Sequence, residues 1–140
     1  MKRLWVYLCA MAMGSAVLAQ ETDLTGKISV ELNAVQTTQS ACTLTFVITN
    51  GLDTQIDRAV YETVLFDVSG QVNRLTLFDF GVLPPTRPRV RQFAVPELAC
   101  DQLGRVLFNG ANTCEGEGVA EGDCSTKLMP STRTAIEVIG

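Results

Sequence analysis

Histidine is absent from this 140-residue chain, and aromatic residues make up only 6% of it. Without imidazole, every Ser-His-Asp or Cys-His catalytic arrangement is excluded, and so is any metal site built on histidine. No Cys-x-x-Cys pair occurs, which removes the usual zinc half-site and the motif that lowers a thiol pKa for redox work. Nucleophile-elbow, Ser-x-x-Lys, phosphate-loop and Gly-x-Gly-x-x-Gly sequences are missing as well, so no cofactor is expected. Positive charge is scarce: 11 Lys and Arg stand against 15 Asp and Glu. That balance argues against nucleic acid, whose binding draws on Lys and Arg contacts to phosphate.

Long apolar runs are confined to the amino terminus. Lys2 and Arg3 precede an almost wholly apolar or small stretch, Leu4 to Leu18, and Val17-Leu18-Ala19 then offers modest side chains at the −3 and −1 positions. This is the three-part pattern of a secretory signal over residues 1–19. The run is shorter than the ~20 residues a helix needs to cross a bilayer. With the signal removed, no membrane span is expected. Loss of Lys2 and Arg3 leaves 9 basic against 15 acidic residues, a net charge of −6. About 121 residues remain, enough for one domain with one core.

Cys9 falls inside the expected signal, which leaves Cys42, Cys100, Cys114 and Cys124. In an oxidising compartment an even set reads as two disulfides, with three possible connectivities. Cys114–Cys124 with Cys42–Cys100 is the favoured pairing. The first closes a short loop rich in Gly and acid, and the second ties an early strand to a late connection. A four-thiolate zinc site is the rival, disfavoured by the spacing and by oxidation on export.

After a polar leader over residues 20–26, the pattern has period two. Ile28, Val30 and Leu32 alternate with polar residues, and Cys42, Leu44, Phe46 and Ile48 alternate with Thr43, Thr45, Val47 and Thr49. Asn50-Gly51 reads as a turn, because both residues tolerate positive φ. Ala59 to Phe66 is apolar on both faces and predicts a central strand, paired through Asp67-Val68-Ser69-Gly70 with a strand over Val72 to Phe80. Further strands are predicted over Arg89 to Val95, Arg105 to Phe108 (ended by Asn109-Gly110) and Thr132 to Ile139, with one helical turn between Leu98 and Leu103. Pro84, Pro85 and Pro88 mark a connection, since proline cannot donate to a ladder. No apolar period near 3.6 is sustained. The fold class is therefore all-β: an immunoglobulin-like β-sandwich of about seven strands over residues 27–140, with two disulfides. A sandwich with a free edge can accept a partner's strand through backbone hydrogen bonds, and the first and last predicted strands are candidates for such an edge.

Phe46-Val-Ile-Thr-Asn50, Val64-Leu-Phe-Asp67, Gly70 and Leu83-Pro84-Pro85 together resemble small bacterial envelope domains. The chain after the signal is similar to a group of uncharacterised exported alphaproteobacterial proteins that share a Cys-Glu-Gly-Glu-Gly segment, here Cys114 to Gly118. The resemblance implies an immunoglobulin-like periplasmic domain and brings no catalytic residues with it.

Three features could carry function. Arg87, Arg89 and Arg91 fall on one face if the segment is a strand, and would form a basic stripe able to meet an envelope protein or an anionic surface. A solvent face, or a charged edge that deters aggregation, explains the same residues. Glu115, Glu117, Glu121 and Asp123 crowd the loop between Cys114 and Cys124, where Gly lets the backbone wrap a calcium ion. The spacing departs from the calcium-loop pattern, however, and a solvated loop accounts for it, so no metal ligand is assigned. Glu62, Asp67 and Asp79 could supply paired carboxylates for glycoside hydrolysis. The expectation is an exported periplasmic or secreted binding or envelope accessory module that is not an enzyme. A carboxylate-dependent hydrolase and a calcium-stabilised extracellular module are the alternatives.

Overall fold

The computed structural model describes residues 23–140. The expected signal over 1–19 and the start of the leader lie outside the described residues. Strand β1, Ile28–Thr38, turns back into β2, Ala41–Asn50, in antiparallel register. Every second residue of β2 from Cys42 to Asn50 is buried, and those between are half exposed. The Thr residues thus take the outer side and Leu44, Phe46 and Ile48 the core. Strand β3, Ile56–Asp67, lies between β4, Val72–Leu83, and β6, Leu103–Glu115. Its central place explains why both faces of Ala59 to Phe66 are apolar.

Two four-stranded sheets result, ordered β5-β2-β1-β7 and β4-β3-β6-β8, where β5 is Pro88–Pro96, β7 Leu128–Thr132 and β8 Glu137–Ile139. The chain changes sheet between β2 and β3, β4 and β5, β5 and β6, β6 and β7, and β7 and β8. This is an immunoglobulin-like all-β sandwich of eight strands.

Aromatic rings take the centre of the core, where the antibody domains carry a Trp. Phe46 meets Phe78, Phe80, Phe93 and Phe108 at ring-centroid distances of 5.8 to 6.1 Å. Tyr61 stands edge-on to Phe80 and Phe108. Burying a side chain such as Phe46 contributes roughly 1.5–3 kcal/mol.

Four local expectations are corrected. The strand expected over Thr132 to Ile139 forms only as β8, Glu137–Ile139, and an unexpected strand β7, Leu128–Thr132, precedes it; hydroxyls bend the chain between the two, Thr132 Oγ1 accepting from Thr134 N and Thr134 Oγ1 from Ile136 N. Strand β7 runs parallel to β1, and β8 runs parallel to β6 in the other sheet. Strand β1 is consequently internal and not an edge. Asn109-Gly110 does not end β6, which absorbs an irregularity there and continues to Glu115. Finally, Asn50 and Gly51 are not needed for positive φ. The buried Asn50 amide donates to Thr54 O and Leu83 O and accepts from Leu52 N, all at 2.9 Å. At Gly51 a Cβ would lie only 1.9 Å from Leu24 O, so backbone crowding demands glycine.

Candidate functional site

Both favoured disulfides form. Cys42–Cys100 ties β2 to the 3-10 turn Cys100–Gln102, and Cys114–Cys124 ties the end of β6 to the short helix α1, Asp123–Thr126. The second bridge has a defined architectural role. Strand β8 covers β6 only from Arg105 to Leu107, and α1 packs beside the continuation of β6, where Ser125 Oγ accepts from Ala111 N. The acidic loop is thereby held as a cover for an otherwise open strand.

Carboxylates of that loop do not converge. Among the described residues, no group of three or more Cys, Asp or Glu side chains is placed to hold a metal ion. Asp123 accepts from Ala120 N at 2.9 Å and pairs with Lys127 at 3.2 Å. These contacts, the backbone hydrogen bond first, lower its pKa below the ordinary carboxylate value. Glu115, Glu117 and Glu121 point to solvent.

The three arginines do not make one exposed stripe. Arg89 and Arg91 share a face, as the period requires, but it is the half-buried face of β5 that also carries Phe93 and Val95. They lie opposite Ile48 and Phe46 of β2, on the core side. Arg91 reaches across to the other sheet, where its guanidinium donates to Phe80 O at 2.7 Å and Val82 O at 3.1 Å. Arg87 precedes β5 and is exposed. A reciprocal contact runs from Arg74 on β4 to Pro96 O on β5, at 2.7 Å. Together Arg74 and Arg91 staple the two sheets along the β4/β5 side.

Glu62 and Asp79 come together on the outer face of β3 and β4. Val60 faces Asp79 and Glu62 faces Leu77, so the two acids are diagonal neighbours with Cβ atoms roughly 7–8 Å apart. Each already has a partner. Asn109 Nδ2 donates to Glu62 at 2.7 Å, while Asp79 accepts from Gly81 N and pairs with Arg58 at 3.2 Å. Asp67 lies apart at the β3–β4 turn, where it accepts from Ser69 N, Ser69 Oγ and Gln71 N. These bonds, led by the Ser69 side chain, hold its pKa below the ordinary value. The principal surface hollows, up to about 400 Å³, each bring at most one carboxylate to their lining.

One surface feature was not singled out from the sequence. The outer face of the β4-β3-β6-β8 sheet carries an apolar row in direct register: Leu75, Val64, Leu107 and Ile139, one from each strand. Leu75 and its neighbour Leu77 are 61% and 54% exposed. Charged pairs flank the row, Arg58–Asp79 at one end and Arg105–Glu137 at the other, with Arg105 also lying over the Phe66 ring. The available signal was the strand over Val72 to Phe80 itself. It puts Leu75 and Leu77 on one face and Phe78 and Phe80 on the alternate one near its end, more apolar surface than an edge strand buries.

No family model, curated protein or solved structure matches the chain. Two formed disulfides fit an oxidising, extracytoplasmic compartment. Among the described residues, no helix is long and apolar enough to cross a membrane.

Proposed function

We propose that the chain is an exported sandwich, periplasmic or secreted, that acts by binding as an envelope accessory module and performs no catalysis. Membership of the exported alphaproteobacterial group it resembles belongs to the same proposal. The observation that carries the reading is how the polar groups are employed. Glu62, Asp67, Asp79 and Asp123 each hold a backbone amide, an Asn or a basic partner, and none stands with a second carboxylate in a hollow of the kind acid–base chemistry uses. What the fold leaves open is contact surface. Two disulfides suit a compartment without a reducing buffer.

The test is capture from an envelope fraction with residues 20–140 as bait, the retained proteins being identified by mass spectrometry. The expected result is a stoichiometric partner kept by the Glu62→Gln and Asp79→Asn variants and lost with Leu107→Glu. Glycosidase or esterase turnover abolished by Glu62→Gln would overturn the reading in favour of a hydrolase.

A further inference from the structure

We propose that the β4/β5 side of the sandwich is a docking face for an anionic phospholipid surface, carried by Arg74, Arg87, Arg89 and Arg91. The inference rests on the reading of the chain as an exported binding module and names the chemistry of its partner.

Nine basic residues follow the expected signal. Arg58, Arg105, Lys127 and Arg133 are each paired with a carboxylate. Among the described residues, the other five have no acid within ion-pair distance, and four of them share one side of the fold. Arg74 is on β4, Arg89 and Arg91 are on β5, and Arg87 immediately precedes β5. Lys27, the fifth, precedes β1. Strands β4 and β5 contain one acid, Asp79, which is already paired with Arg58, and Glu97 follows β5. A chain that is acidic as a whole thus gathers its uncompensated positive charge along one margin.

The packing of the two edge strands sets these arginines in a row. Arg91 donates to Phe80 O and Val82 O, and Arg74 donates to Pro96 O, so β4 and β5 lie side by side and antiparallel. From Arg87 to Pro96, where Arg74 lands, the row spans about 30 Å at the rise of a strand. Arg89 and Arg91 also donate to the carbonyls of Pro88 and Val90. Carbonyl partners hold a guanidinium in place without neutralising it. A planar, positioned and still charged guanidinium is the group best suited to a phosphate.

Charge alone would suit any polyanion, and the apolar residues select among them. Five of the seven most exposed large apolar residues among those described stand on these same two strands: Val72, Leu75, Leu77 and Val82 on β4 and Val90 on β5. Val82 and Val90, 48% and 58% exposed, flank the Arg91 staple, one on each sheet. Aliphatic groups beside arginines suit a bilayer surface, where the first enter the headgroup region and the second meet phosphate. A soluble polyanion would match the charge and leave the aliphatic groups in water. The acidic remainder of the surface would be repelled by the same membrane, which favours this side as the one that docks.

Co-sedimentation of residues 20–140 with lipid vesicles tests this. Vesicles of equimolar phosphatidylglycerol and phosphatidylcholine should retain the protein, phosphatidylcholine alone should not, and added salt should release it. Arg87→Gln and Arg89→Gln should each weaken retention about fivefold. Arg133→Gln, which removes a charge already paired with Glu31, should leave it unchanged. Arg74 and Arg91 stay intact in the test because they join the sheets. Val82→Ser combined with Val90→Ser should weaken retention with unaltered circular dichroism. No retention on the anionic vesicles, or retention indifferent to Arg87→Gln and Arg89→Gln, would overturn the proposal. Binding to soluble polyphosphate as strong as to the vesicles, and insensitive to the valine changes, would also overturn it and assign the row to a soluble polyanion. Failure on vesicles with an envelope partner still captured refutes the lipid face alone. Turnover abolished by Glu62→Gln with vesicle retention intact refutes the binding-module reading alone.

Discussion

The Tyr61 hydroxyl donates to Cys124 O at 3.0 Å, from the middle of β3 to the helix that closes the acidic loop. Both residues are fully buried. One hydrogen bond therefore joins the aromatic core to the second disulfide, and it satisfies a carbonyl that water cannot reach. Tyr61→Phe keeps the ring and leaves that carbonyl unpaired. The expected cost is about 1–3 kcal/mol, read as a lower urea midpoint at unchanged slope. Burial also pushes the Tyr61 phenol above its ordinary pKa. Stability from the buried neutral phenol is complete below the unfolded value of ~10 and declines above it, so phenolate absorbance should rise together with alkaline unfolding and not before it.

Arg91 closes the opposite side of the sandwich. Its two bonds to β4 carbonyls join sheets that share no ladder there. Charge-assisted hydrogen bonds of this kind contribute ~1.5–3 kcal/mol when desolvated. The site is part-buried, so Arg91→Ala is expected to cost about 2 kcal/mol in a urea titration. Lysine cannot span two carbonyls as the planar fork does, and Arg91→Lys should recover less than half of the loss. Full recovery by Lys would mean that charge alone matters at this position.

Much of this architecture was legible as alternation. Cys42 to Asn50 reads in and out without error, because one side of β2 meets the core and the other does not. Ala59 to Phe66 reads as central for the converse reason. The arginines show where the pattern falls silent. Period two places Arg89 and Arg91 on one face, but it cannot say that the face is the inner one, since carbonyls of another strand, distant in sequence, supply the partners. The bend that shortens the last strand to Glu137–Ile139 was hidden for a similar reason: Thr132 and Thr134 have strand propensity, and only their hydroxyl bonds to the following amides reveal it. The candidate carboxylates had the composition of a site, but their partners, Arg58, Asn109 and Lys127, were set by register and helix spacing.

The two disulfides should differ in weight. Cys42 and Cys100 are 58 residues apart and Cys114 and Cys124 are 10 apart. In the chain-entropy account, closing the longer loop stabilises by about 4 kcal/mol and the shorter by about 3 kcal/mol. Cys42→Ala with Cys100→Ala should therefore lower the melting temperature more than Cys114→Ala with Cys124→Ala. The shorter bridge has a second effect: without it α1 is freed from β6, and amide exchange at Ala111 should accelerate while the β1–β2 hairpin remains protected. Uniform acceleration across both sheets would contradict the local covering role.

The β1–β2 hairpin holds a stabilising substitution. Gln39 sits in the two-residue connection with φ of 53°, a conformation that costs side-chain-bearing residues and that hairpins of this length commonly assign to glycine. Its side chain is exposed. Gln39→Gly should stabilise by roughly 0.5–1 kcal/mol, the strain relieved minus the added freedom of the unfolded chain. An unchanged or lower melting temperature would show that the strain is already relaxed.

Asp67 gives the fold an acid-sensitive turn. Its carboxylate accepts from Ser69 N at 2.9 Å, Gln71 N at 3.0 Å and the Ser69 hydroxyl, and its own N–H returns to Gln71 O. All these contacts favour the charged form, and the folded pKa is lowered accordingly. A depressed folded pKa means that the stabilisation is fully present above the unfolded value of ~3.9 and is lost as pH falls through the folded pKa. Asn at this position keeps an acceptor oxygen but carries no charge and does not titrate. The stability difference between the unaltered protein and Asp67→Asn should thus be constant from neutral pH down to the ordinary carboxylate range and shrink below it. Urea midpoints measured across that interval, with an NMR titration of the Asp67 carboxyl, check the sign. A carboxyl that titrates at or above the ordinary value, or a difference that grows in acid, would show that the turn does not depend on the ionised form.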